Sequence, residues 1–112
     1  MPKKQNFKVR WTLAAIQDLE SIVDFIARDS PQAARQVLRS LRKRAETLNT
    51  FPARGRVVPE LGDIGLHLYR ELLVTPWRIV YRINNDTVYV MMVIDGRRNA
   101  EDLLLERLVR QV

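Results

Sequence analysis

From Trp77 to Ile83 the side chains alternate one for one. Trp77, Ile79, Tyr81 and Ile83 share one parity, and Arg78, Val80 and Arg82 share the other. Successive side chains on a strand point to opposite faces, so this stretch predicts a strand with one apolar face and one face carrying two arginines. Asn84-Asn85-Asp86 then interrupts the pattern with residues suited to turns. From Thr87 both parities are apolar, with Val88, Val90, Met92 and Ile94 on one side and Tyr89, Met91 and Val93 on the other. A strand buried inside a sheet has this look. It stops at Asp95-Gly96 and delivers Arg97 and Arg98 at its exit. Leu68 to Val74 reads as a further strand just upstream, and three strands joined by short turns make an antiparallel meander.

Earlier in the chain the period changes. Phe7, Val9 and Trp11 alternate with Lys8 and Arg10, which predicts a short first strand. Thr12 follows as a helix N-cap, and Leu13, Ile16, Leu19, Ile22, Val23 and Ile26 recur at helical spacing. Asp29-Ser30-Pro31 ends that helix and begins another, with Ser30 as N-cap and Pro31 at the first helical position. Ala34, Val37, Leu38, Leu41, Ala45 and Leu48 form the second apolar stripe. Two helices with almost no connector form an antiparallel hairpin. Residues 49–67 contain two prolines and three glycines and read as a long loop, held down by Phe51, Val57, Val58, Leu61, Ile64 and Leu66. Asn99 to Val112 reads as a short C-terminal helix.

The expected fold is α+β: strand, helix, helix, three-stranded antiparallel meander, short C-terminal helix. The helix hairpin packs on one face of a small sheet, and the first strand joins at an edge or in the middle. Trp77, Ile79, Tyr81 and Ile83 face the hairpin, and Arg78 and Arg82 face a side left partly open. Burying unpaired arginines under the helices would cost several kcal/mol per charge.

Composition narrows the function. The 112 residues are expected to form a single domain, 1–112. There is no cysteine, so disulfide frameworks and thiolate metal sites are excluded. No apolar run approaches the roughly 20 residues of a membrane span, and the basic N-terminus lacks an apolar stretch behind it. The expectation is a cytoplasmic protein with no membrane association. The net charge of +6 favours polyanionic partners, nucleic acid or an acidic protein segment. The surplus lies at residues 1–10 and 31–50, whereas residues 11–29 are net acidic. Such runs are most often solvated helix faces.

The chain has no Gly-rich phosphate loop, no paired histidines and no nucleophile elbow. No cofactor and no metal are expected. What remains is a cationic open face with Arg78 and Arg82, and Arg97 and Arg98 at the strand exit, able to hold phosphate or carboxylate bidentately, or simply to form surface salt bridges. A metal-free ribonuclease needs such cations together with an acid or base at the scissile phosphate. The candidates for that role are Tyr69, Tyr81, Tyr89, His67 and Glu71. His67, the only histidine, is more simply a surface or packing residue.

The chain resembles the RelE/ParE superfamily of bacterial type II toxins over nearly its whole length. The resemblance rests on FKVRWTLAAIQDLESIVDFIA, DSPQAARQVLRSL, TFPARGRVVPELG and YRELLVTPWRIVYRINNDTVYVMMVIDGRR, in this order. It implies a toxin neutralised by a cognate antitoxin. RelE-like members cut messenger RNA on the ribosome, and ParE-like members inhibit DNA gyrase. In the cleaving branch arginines stand where Arg78 and Arg98 stand here. That branch also has lysines at the positions of Tyr69 and Glu71, and a tyrosine or histidine in the C-terminal segment. This chain lacks those, and a carboxylate replaces an expected cation. The helix hairpin and the FPARGR loop look like ParE. The resemblance therefore implies a ParE-like, growth-inhibiting gyrase toxin of the plasmid-stabilising kind. The alternative is a ribosome-dependent endoribonuclease using Arg78 and Arg98. In the first reading Arg78, Arg82, Arg97 and Arg98 bind target or antitoxin. An acidic antitoxin is expected to lie as an extended or helical segment across the groove between the hairpin and the sheet.

Overall fold

The computed structural model describes residues 6–109. Strand β1 (Lys8–Trp11) leads into helix α1 (Leu13–Ala27) and helix α2 (Pro31–Glu46). Both helices start where the caps predict: the Thr12 hydroxyl accepts from Ala15 N at 3.2 Å and the Ser30 hydroxyl from Ala33 N at 3.1 Å. The Thr12 hydroxyl also donates to Val90 O at 3.0 Å, which ties the start of α1 to the sheet.

The stretch expected to be one long loop carries structure of its own. A 3-10 turn at Thr47–Asn49 leads into it, and it contains another at Pro52–Arg54, a two-residue strand β2 (Arg56–Val57) and a one-turn helix α3 (Pro59–Gly62). The Tyr81 hydroxyl pins it, accepting from Gly55 N at 2.9 Å and donating to Pro52 O at 2.6 Å. The meander follows as β3 (Tyr69–Val74), β4 (Trp77–Asn84) and β5 (Thr87–Asp95), then α4 (Ala100–Leu104) and a π turn over Leu105–Val109. The β4–β5 turn uses Asn85 in the left-handed region, φ 56°, a conformation asparagine tolerates.

The five strands run in the order β1-β5-β4-β3-β2. Strand β1 joins at the edge, parallel to β5, and all other pairings are antiparallel. The hairpin of α1 and α2 covers one face. Ala15, Leu19, Leu41, Ala45 and Leu48 pack there with Leu72, Ile79, Tyr81, Val88, Val90 and Val93, and Trp77 and Ile83 join from the two ends of β4. The alternation along β4 thus places its apolar parity under the helices, with Arg78, Val80 and Arg82 on the other side.

Strand β5 departs from strict alternation. Val80 pairs with Met92 and Tyr81 with Val90, so Met91 is an extra residue on β5. This bulge reverses the parity beyond it. Val88, Val90 and Val93 face the hairpin, whereas Met92 and Ile94 face the opposite side. The expected grouping of Val88, Val90, Met92 and Ile94 on one face is corrected accordingly.

The second face is not simply open. At the end near Arg78 it carries its own core: Val58 and Leu61 from the α3 region, Val80, Met92, Ile94 and Tyr69 from the sheet, and Ala100 and Leu104 from α4. Asp18 of α1 holds the C-terminal segment in place. One carboxylate oxygen accepts from Val93 N at 3.0 Å, and both oxygens pair with Arg107 at 3.1 Å. Residues 110–112 of the expected C-terminal helix lie outside the described residues.

Candidate functional site

Arg78 and Arg82 were expected on an open sheet face and Arg97 and Arg98 at the strand exit, and the four have different surroundings. Arg78 points away from the hairpin but is buried, at 8% exposure. Its Nη1 and Nη2 donate to the two oxygens of Glu60 at 2.7 and 2.6 Å, and its Nε donates to Glu71 at 2.6 Å. The second Glu71 oxygen accepts from Arg56 Nε at 2.7 Å. Two carboxylates and two guanidiniums thus close a neutral network. The bidentate geometry is the one a phosphate would take, and Glu60 already takes it. The hydrogen bonds to Glu60 raise the Arg78 pKa above its ordinary value, with Glu71 adding to the effect against the burial of the side chain. The same contact from Arg78 lowers the carboxyl pKa of Glu60.

Gly96 allows this arrangement. A Cβ there would lie 3.1 Å from Arg78 Cδ and 3.1 Å from Pro76 O, so a larger residue would have to push the arginine stem or the Pro76 carbonyl aside by a few tenths of an ångström. That turn exposes Arg97 and Arg98. Arg97 pairs with Asp95 at 2.8 Å, and this contact holds the Asp95 carboxyl down at about 2. Arg98 makes no ion pair among the described residues. Arg82 lies further along β4, half-buried, at the end away from Arg78.

The acid–base candidates are scattered too. Tyr81 is fully buried on the hairpin face, its hydroxyl committed to the 52–55 segment, and burial raises its pKa. Tyr69 is buried beside Arg82, Tyr89 is half-buried there, and His67 is exposed near Gly62. Glu71 is a structural partner of Arg78 and Arg56, not a free carboxylate. Sequence reasoning missed Glu60 altogether. Its only local signal is Pro59 at the start of a helical turn, and nothing in the pattern says which strand that turn packs on.

The hairpin side offers a different feature. Trp11 of β1, Ile16, Leu19 and Val23 of α1 and Leu38 of α2 line a cleft of about 440 Å³. Glu20, Asp24 and Arg42 complete its lining. Leu13 and Ile16 of α1 are 70% and 40% exposed, so the first helical stripe is only partly covered by this chain. Among the described residues no group of three or more His, Cys, Asp or Glu is placed to hold a metal. No described helix is long and apolar enough to cross a membrane.

A helix hairpin on this sheet order, with arginines on β4 and after β5, fits the RelE/ParE-type toxins that the sequence resembles. Comparison agrees. The family model for the ParE toxin of the type II toxin-antitoxin system parDE matches residues 9–100. The chain is 31% identical to toxin RelE2 of Caulobacter vibrioides over 81% of this chain and 97% of the relative. It is 36% identical to putative toxin Y4kP of Sinorhizobium fredii over 87% of this chain and 96% of the relative. Among solved structures it resembles a chain of the chromosomal ParDE system from P. aeruginosa, with a TM-score of 0.67 and 18% identity, covering 80% of this chain and 95% of that one. The protein belongs to the ParE toxin family and is a toxin of the RelE/ParE type.

Proposed function

We propose that this toxin inhibits DNA gyrase and does not cleave RNA. The observation that carries this reading is the closed network at Arg78. A cation that must stabilise developing charge on a phosphate has to be free or exchangeable. Arg78 is buried and spans two carboxylates, one of which occupies its bidentate edge. Displacing Glu60 would leave a carboxylate unpaired at the same moment that the phosphate binds, which opposes catalysis. Of the acid–base candidates, Tyr81 faces the hairpin, Glu71 is already paired with Arg78 and Arg56, and Tyr69 and Tyr89 lie level with Arg82, at the end away from Arg78. A growth-arresting mechanism that binds its target and needs no hydrolytic centre fits this arrangement, and membership of the ParE family supports gyrase as that target. Ribosome-dependent messenger cleavage is the second reading, favoured by the exposure of Arg98 at the strand exit.

A cognate antitoxin would hold the protein inactive in the cytoplasm by filling the cleft between α1, α2 and Trp11. The exposed apolar residues there are the anchors such a segment needs. The lining is acidic on α1 and basic on α2, so an amphipathic helix carrying both signs suits it better than a uniformly acidic strand.

The test is expression without antitoxin, with DNA replication, supercoiling by purified gyrase and messenger integrity followed separately. Loss of supercoiling activity with intact early messages is expected. Early cleavage of ribosome-bound message with unaffected gyrase would reject the proposal.

A further inference from the structure

The half of the second sheet face that α3 and α4 leave uncovered has its own composition. Strand register aligns Arg82 of β4, Tyr89 of β5 and Arg10 of β1 in one row across the sheet, and Tyr69 of β3, next to Arg82, belongs to the second core. Their chain neighbours Tyr81, Ile83, Val88, Val90, Val9 and Trp11 all pack on the hairpin side. The row therefore points away from the hairpin. Lys8, two residues before Arg10, shares that side. Neighbouring strands lie about 4.8 Å apart, so the row spans roughly 10 Å. Lys8 and Arg10 are exposed, and Arg82 and Tyr89 are half-buried. Among the described residues none of the three cations makes an ion pair. The Nε of Arg82 is buried and has no hydrogen-bond partner. A buried N–H left unpaired is costly, and in a native protein it calls for an explanation.

We propose that this row is a binding platform for single-stranded nucleic acid, with phosphates held by Arg82, Arg10 and Lys8 and a base stacked on Tyr89. Alternating cations and aromatic rings on an open sheet match a strand of alternating phosphates and flat bases. A phosphate oxygen beside Arg82 would satisfy the orphan Nε. An acidic peptide is the weaker fit. None of the large exposed apolar side chains belongs to this row, so a peptide would lack anchors, whereas nucleic acid needs only charge and a ring face. The platform is distinct from the Arg78 network and implies no cleavage. It does not rest on gyrase being the target.

The experiment is fluorescence anisotropy of the full chain with a labelled, unstructured 12-nucleotide DNA and its RNA counterpart, titrated over salt. Binding should weaken with salt, and Arg10→Gln with Arg82→Gln should make the slope of log K against log salt shallower by about 1.4. Tyr89→Leu should lower affinity about tenfold with little change in that slope. Lys8→Gln with Arg10→Gln, both exposed on an edge strand, gives the same reading if substitution at Arg82 prevents folding. A charge-matched control, Arg35→Gln with Arg39→Gln on the exposed face of α2, should leave the slope unchanged. Equal loss in the control and the platform variants would show binding by net charge alone and overturn the proposal. Poly-glutamate competing as well as the oligonucleotide, or Tyr89→Leu without effect, would do the same.

Discussion

Arg78 is held by two carboxylates that are 11 residues apart in sequence, and removing either kind of partner should show. Arg78→Ala leaves the buried Glu71 with only Arg56. It should cost about 3 kcal/mol in urea unfolding, whereas Arg98→Ala, fully outside the network, should stay within about 0.5 kcal/mol. The pair also carries a pH signature. Glu60 has a lowered pKa in the folded state, so the unfolded chain binds more protons near and below the ordinary value of 4.5. Its stabilisation is therefore present above that value and is lost as pH falls through the folded one. Unfolding followed from pH 6 to pH 3 should show the wild type losing stability more steeply than Glu60→Gln. A parallel slope in the two proteins would mean the contact contributes nothing in solution. Tyr81→Phe tests the other buried polar contact. It strands the Gly55 N–H and should cost about 1–3 kcal/mol, read by the same unfolding titration.

Among the elements, the C-terminal segment is held by the second core and tied to α1 by one carboxylate. Strand β1 pairs with β5 only as far as Val90, which leaves the β5 edge beyond it without a strand partner. Asp18 satisfies the Val93 N–H there and pairs with Arg107 from the last turn. Asp18→Ala should raise amide exchange at Val93 and across 100–109 while the centre of β4 stays protected. Uniform exchange changes over the whole sheet would show that the contact supports the fold globally. The helices and the meander were legible because each is written in a local period with its own caps. The segment 49–67 was not. Its β2 is two residues long and α3 one turn, too short for any period, and both exist because Tyr81, Glu71 and the second core hold them.

At the scale of the molecule, the sheet is covered unequally on its two sides, and the cleft beside α1 is left for a partner. Ile16→Glu places a charge on a residue that is 40% exposed, so the unfolding midpoint should barely move. Affinity for the antitoxin should fall at least tenfold in a titration, mainly through faster dissociation. Retained affinity would place the antitoxin elsewhere. Charge changes at Glu20 or Arg42 on the same cleft should instead alter association rate and salt dependence.

The chain by itself determined the two capped helices, the meander and the side of the sheet on which β4 buries Trp77, Ile79, Tyr81 and Ile83. Those features follow from side-chain direction at periods of 3.6 and 2, which neighbouring residues set. Tertiary structure alone decided that β1 lies parallel to β5 at the edge, that Met91 bulges and reverses the faces of β5, and that Glu60 closes on Arg78. Each depends on how segments far apart in the chain dock. An arginine read along its own strand is a free cation, and only the packing of α3 against that strand shows that its charge is already met.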